Sequence, residues 1–307
     1  MPIRLIKRFG GAWNRFFLEE GPSVFLSFFR ITTGLSAAVH VIPTLLKLDE
    51  NYFSTAFRTK NIYFFPPAFI EWVRQSPDPL VVCLAVLFVI SALFFTVGLF
   101  SQGSCLALTA LCFYFYALNS LQIGTLEFEA LLSVLCLLCV VPYHGDYFSL
   151  DAALGLNRNA GKPRPVFIQR LLQLQLGFVT FYAGLHKITG DGNWLTANPI
   201  QLLLSQEIST GIFRNFPMRS WLASNTSFCR ALGLFVVMFE LSFIFLLACR
   251  KTRKTAIVAG LIFYFISTVF MHIPIMLLFL LSGWVLLWLD SSPIGTPHAG
   301  SMRRGGR

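Results

Sequence analysis

The sequence predicts an all-α, polytopic integral membrane protein of about eight transmembrane helices, and three observations predict it. Of 307 residues, 55% are hydrophobic and only 12% charged, where a soluble domain carries about a quarter charged. The apolar residues gather into runs of the ~20 residues that a helix needs to cross a bilayer. The basic residues sit in short segments between those runs, the distribution of orientation signals and not of a nucleic-acid-binding face. The formal charge of +10 therefore implies a lipid bilayer as surroundings and no nucleic acid as partner.

Residues 1–22 hold Arg4, Lys7, Arg8 and Arg15 against Glu19 and Glu20 and read as a cytoplasmic N-terminal segment. No short apolar core with a small-residue cleavage site follows, so the first hydrophobic helix is expected to stay as an anchor. The transmembrane domain covers 23–290. Its first span runs from about Ser23 to Leu46 and contains Arg30 and His40. The stretch from Lys47 to Asp78 is too polar to cross and suits an outer loop, with Tyr63 and Trp72 at the interface. Spans two and three, about Pro79 to Phe100 and Ser104 to Ile123, are joined by a turn at Ser101-Gln-Gly103. Span three ends on Asn119 and Gln122, and span four, about Leu126 to Tyr143, opens with Glu127 and Glu129 in its first turn.

Span five runs from about Val166 to Ile188. Beyond it the short apolar run Ile200 to Leu204 cannot cross and is expected at the interface. Span six, about Ala231 to Ala248, has Glu240 near its middle and meets Arg250-Lys-Thr-Arg-Lys254. The apolar run from Thr255 to Leu289 is too long for one crossing, and Met271-His-Ile-Pro274 divides it into spans seven and eight. Residues 291–307, rich in Gly, Ser, Pro and Arg, are expected to be a disordered cytoplasmic tail. With the N-terminus inside, the inner segments carry four, three, four and three basic residues, while seven are spread over much longer outer loops. That asymmetry places both termini in the cytoplasm, as in a bacterial inner-membrane protein.

An apolar helix has no need of polar groups, so those it carries within a bilayer are candidates for function. On span five Gln173, Thr180 and Lys187 recur at seven-residue spacing and share a face with Ala183 and Gly184, whose small side chains let a second helix approach. In the N-in topology His186 and Lys187 end span five on the outer side, Glu129 begins span four there, and His272 lies at the outer turn between spans seven and eight. Lys187, His186, Glu129 and His272 are the candidate catalytic residues. Each has a plainer reading: Lys187 reaching to headgroups, Glu129 as its ion-pair partner, His272 capping a turn. Arg30 and Glu240 read first as braces between helices.

The seven cysteines lie mostly within apolar runs, and their odd number argues against a disulfide framework. Cys136-Leu-Leu-Cys139 has the spacing of a redox or metal motif without polar or glycine flanks, and core packing is the better reading. The histidines are too scattered for a metal site. Phosphate-binding and dinucleotide fingerprints are missing.

Four pieces in order, Phe29-Arg-Ile-Thr-Thr-Gly34, Ser149-Leu-Asp-Ala152, Gln175 with Tyr182-Ala-Gly-Leu-His-Lys187 and Trp194, and His272, resemble the horizontally transferred transmembrane (HTTM) domain family. Its best-known members are the vitamin K-dependent γ-glutamyl carboxylases. The resemblance implies a lipid-soluble substrate, a reduced quinone such as vitamin K hydroquinone, and gives Lys187 the role of the base that deprotonates it. Where the carboxylases carry a second lysine this chain has His186, and the carboxylases' large soluble domain has no counterpart after span eight. Shorter proteins resembling the sporulation-delaying-toxin maturation factor belong to the same family. Two functions therefore stand side by side: a membrane enzyme with a lysine base, or a non-catalytic accessory protein for maturation or export of a small secreted peptide.

Overall fold

A computed structural model of the chain describes residues 20–21, 24–46, 66–118, 125–190, 194–205 and 219–271, apart from a few single positions inside those ranges. The first span is one nearly continuous rod, α1 (Val24–Ser36) passing through a π-helical turn (Ala37–Val41) into α2 (Ile42–Leu45). Helix α3 (Pro67–Arg74) stands inside the stretch expected to be an outer loop; Pro67 starts it with a preset φ and no N–H to lose. Helix α4 (Asp78–Val97) follows Pro77 and ends at Gly98, whose φ of 72° is the left-handed cap that glycine adopts without strain. Helices α5 (Ser101–Leu118) and α6 (Thr125–Cys139) return the chain twice more.

A 3₁₀ turn (Pro142–Gly145) leads to the single turn α7 (Leu150–Ala153), capped by Ser149, whose hydroxyl accepts from the Ala152 N–H. Helix α8 (Phe167–Thr189) is the fifth predicted span, α9 (Asn198–Ser205) the short apolar run, and α10 (Arg219–Ser224) an added turn. Asn225 accepts from the Phe228 N–H and so starts α11 (Thr226–Ala248), the sixth predicted span, after which α12 (Arg253–Met271) occupies the first half of the long apolar run. The second half of that run, His272 and the tail 291–307 lie outside the described residues, as do most of residues 1–22 and of the loop 47–65.

Among the described residues three helices are long and apolar enough to cross a membrane: α4, α5 and Thr226–Leu247 of α11. Helix α1 and residues Lys254–Phe263 of α12 are apolar but shorter. Helix α8 has the length, and its glutamines, His186 and Lys187 make it the most polar of the long helices. Val86, Leu93 and Phe94 of α4 face outward, as side chains in contact with acyl chains do.

One core joins α1, α4, α5 and α6 through Phe29, Phe88, Phe95, Leu108, Phe115 and Leu131. A second joins α11 and α12 around Phe243 and Ile257. Helix α8 packs along α11, where a Cβ on Gly177 would come within 3.0 Å of Ile244 and one on Gly184 within 2.9 Å of Glu240. Two short strands also have no counterpart in the sequence pattern: β1 (Glu20–Gly21) pairs antiparallel with β2 (Arg164–Pro165), Glu20 opposite Pro165. The pairing sets the starts of α1 and α8 at the same end of the bundle.

Candidate functional site

Lys187 stands half a turn from the end of α8, on the side where Gly184 brings α11 close. Its ammonium donates to both carboxylate oxygens of Glu240 at 2.8 Å. The two side chains are 16% and 7% exposed. The Trp194 ring lies over the same nitrogen, 5.0 Å from its centroid, a cation–π distance. Thr180, two turns back on the same face, is fully buried.

Three close approaches build this arrangement. Without a side chain on Gly184, about one turn before Lys187, Glu240 and Leu241 can lie against α8, which brings the carboxylate within reach of Lys187. Without one on Gly233, the carbonyl of Trp194 can lie against α11, since a Cβ there would meet it at 2.8 Å. Gly233 and Glu240 are seven residues apart, so one face of α11 seats the tryptophan segment and supplies the carboxylate. The third approach is a stagger. Helix α11 runs on beyond Lys187, and its overhang, with Cys229 and Leu232, is covered by Ile200, Leu204, Leu222 and Trp194.

Trp194 covers the Lys187 side of the end of α8, while Leu185, His186, Ile188 and Thr189 stay exposed. Glu240 falls about 21 Å from Thr226 and about 11 Å from Leu247, at ~1.5 Å per residue. It lies well inside the crossing segment. Lys187 is thus held by a carboxylate on the crossing segment of α11.

The candidate residues separate as follows. His186, beside Lys187, is exposed and turns to Tyr182, with ring centroids 6.4 Å apart. Glu129 belongs to the first turns of α6, with its side chain outside the described atoms, and His272 lies outside the described residues. The carboxylate on Lys187 comes from Glu240, which by sequence alone reads as a brace between helices. Its signal was present: it is the one acidic residue in the α11 run, and a lone carboxylate among apolar residues must find a cation.

A second polar cluster forms where α1 meets the α4–α5 turn and residues 144–151. Fully buried Arg30 of α1 donates to the carbonyls of His144 at 2.9 Å and Phe148 at 2.6 Å. Asp151 accepts from the backbone N–H groups of Phe100 and Ser101 and from the Ser101 hydroxyl, at 2.7–2.8 Å. It therefore caps the start of α5 from a distant part of the chain, where the helix dipole favours an anion. Gly98 lies between them: a Cβ there would come within 2.5 Å of Arg30 Nη1 and of Ser149. Phe100 and Phe148, flanking the cluster, both have a φ of 46°, a strained value for a bulky residue.

His144 Nε2 faces Gln102 Oε1 at 3.2 Å, and the Gln102 amide donates to the Cys139 carbonyl at 2.6 Å. Burial first, and Arg30 second, push the His144 pKa down to about 3, so its ring is neutral at physiological pH. Nearby, the Sγ atoms of Cys105 and Cys139 are 3.4 Å apart. Cys139 thus meets a thiol of α5, whereas Cys136 is exposed, and the Cys136-Leu-Leu-Cys139 spacing does not make the contact.

A family model, HTTM domain, matches residues 20–290, most of the chain. No curated protein and no solved structure matches it.

Proposed function

Because the chain belongs to the HTTM domain family, a membrane family related to the membrane domain of the vitamin K-dependent γ-carboxylases, we propose that it is a membrane enzyme. In this reading Lys187 acts as a base on a lipid-soluble acid, a reduced quinone such as vitamin K hydroquinone. One observation carries it: an amine and a carboxylate in direct contact, enclosed between apolar helices under an aromatic ring. Apolar residues of similar volume often pack as stably as a buried ion pair, so packing alone gives no reason for this one. An enclosed amine can exchange its proton with a bound acid away from water.

The surrounding residues fit such a substrate by their chemistry. Trp194 offers a π face beside the amine. A reduced quinone supplies the acidic O–H. The chain supplies orientation, exclusion of water and the proton acceptor.

Lys187→Arg tests the reading. Arginine keeps the charge and can keep the pair, but it cannot release its proton. The variant is expected to insert and fold normally and to leave the phenotype of a deletion strain unrelieved. Full complementation by Lys187→Arg would transfer the function to the accessory reading, a partner in maturation or export of a small secreted peptide.

The proposal includes eight crossings in the bacterial inner membrane with both termini cytoplasmic. Loop charge supports it, and so does the β1–β2 pairing, which requires an even number of crossings between residues 21 and 164. A cysteine placed at Asn198 is expected to react with an impermeant thiol reagent from outside and one at Arg158 to be protected. The reverse pattern inverts the topology.

A further inference from the structure

We propose that Glu240 is the proton partner of Lys187: the two side chains hold one exchangeable proton between them, and Glu240 takes it when Lys187 acts as a base. The inference rests on the reading of Lys187 as a base and goes beyond it. As the site stands, two of the three ammonium N–H groups are engaged by Glu240 at 2.8 Å and the Trp194 ring covers the nitrogen. An ammonium so satisfied has no lone pair to offer. It becomes a base only if a proton leaves, and among the described residues the acceptor in contact is the carboxylate that already receives the hydrogen bond.

The step balances. The Lys187 Nζ–H bond breaks and a Glu240 Oε–H bond forms, turning the ion pair into a neutral amine beside a neutral carboxylic acid with no change in net charge. The amine lone pair then takes the proton of a bound acid. The product is the substrate anion beside the Lys187 ammonium, with the carboxyl of Glu240 protonated. Enclosure favours the first transfer, because two neutral groups lose less on leaving water than two charges. It favours the second because the new anion forms against a cation.

Among the described side chains the carboxylate in contact with Lys187 is that of Glu240. Helix α8 itself brings the exposed His186 next to Lys187. Helix α9 has no charged residue, α10 has Arg219 alone, and α11 has Arg230 and Glu240. Glu127 and Glu129 belong to α6, which also packs on α8, and Asp191 falls between Lys187 and Trp194 in the sequence.

Two variants and two readouts test the proposal. Glu240→Gln keeps the shape and a hydrogen-bond acceptor without a proton-holding carboxylate; Glu240→Asp keeps the carboxylate one methylene further away. Each is expressed as the full chain in the deletion strain. In parallel, membranes are treated with the N-hydroxysuccinimide ester of acetic acid, and acetylation of Lys187 is measured by peptide mass spectrometry. Removing the counter-charge frees the amine, so Glu240→Gln is expected to raise Lys187 acetylation at pH 7 by at least about tenfold. It is nevertheless expected to fail in complementation, by a factor on the order of 10²–10⁴ where turnover is measured. Glu240→Asp is expected to complement in part and to label like the parent.

Complementation by Glu240→Gln, with Lys187→Arg inactive, would overturn the proton partner and leave the lysine base standing. Complementation by Lys187→Arg would overturn both. An unchanged acetylation of Lys187 in folded Glu240→Gln would show that the pair does not hold the amine's proton, and would also overturn the inference. If Glu240→Gln does not fold, Glu240→Asp decides: inactivity in a folded protein whose Lys187 labels like the parent is evidence against a shared proton.

Discussion

Arg30 and Lys187 are both cations withdrawn from water inside one helical bundle, and they are held in opposite ways. Arg30 is answered by backbone: two carbonyls take its N–H groups, while Asp151 gives its oxygens to the N-terminus of α5. Lys187 is answered by a single side chain that can itself take up a proton. A guanidinium keeps its proton under any condition a protein survives, whereas an amine beside a carboxylate can give one up. The first arrangement ties three chain segments together, α1, the α4–α5 turn and residues 144–151. The second ties only two helices and contains a movable proton.

That contrast is broken or sharpened most strongly at Arg30. Arg30→Leu leaves the carbonyls of His144 and Phe148 without their donor and Asp151 without a nearby cation, a loss of about 3–5 kcal/mol for a broken buried charge network. Domains have only about 5–15 kcal/mol in total, so the variant is expected to yield little monodisperse protein in mild detergent. Arg30→Lys is expected to fail nearly as badly, because a point charge cannot span two carbonyls as the planar fork does. An Arg30→Leu protein with an unchanged melting midpoint would remove the structural role, and the two buried cations would no longer be different in kind.

How far each region was legible in the sequence follows the same division. The helices from Val24 to Ala248 fall close to the predicted spans because length and apolar runs are local properties. The Arg30 cluster was not legible, since its acceptors are carbonyls 114 and 118 residues away, and any residue has a carbonyl. Its Ser149 and Asp151 stand out in the sequence only through the family resemblance. Lys187 was legible as an amine at the end of a polar helix. Its partner was not, because matching helix ends by depth points to Glu129, whereas α8 and α11 pack with a stagger that brings Lys187 to the interior of α11. Gly184 and Gly233 fix that stagger, and their effect depends on which helix comes near.

The smallest effect tests whether the Arg30 cluster is as free of movable protons as the contrast requires, and it turns on His144. Among the described residues this ring packs edge-on against Phe95, hydrogen-bonds Gln102 through Nε2, and shares its surroundings with Arg30 and Asp151. Burial and Arg30 lower its pKa to about 3 in the folded protein, while in an unfolded chain histidine titrates near ~6.5. Because the folded value lies below the unfolded one, the unfolded state binds the proton more readily. The full stability is therefore present above about pH 6.5 and declines as pH falls toward 3, by about 1.4 kcal/mol per unit. Between pH 7 and pH 5 the loss from this one group is about 2 kcal/mol, read as a fall in the melting midpoint in detergent. His144→Gln, which cannot titrate, is expected to flatten that part of the profile even if it melts lower at pH 7. A profile equally steep with and without His144 would place the acid-sensitive group elsewhere, and Glu240 with Lys187 would be the first place to look.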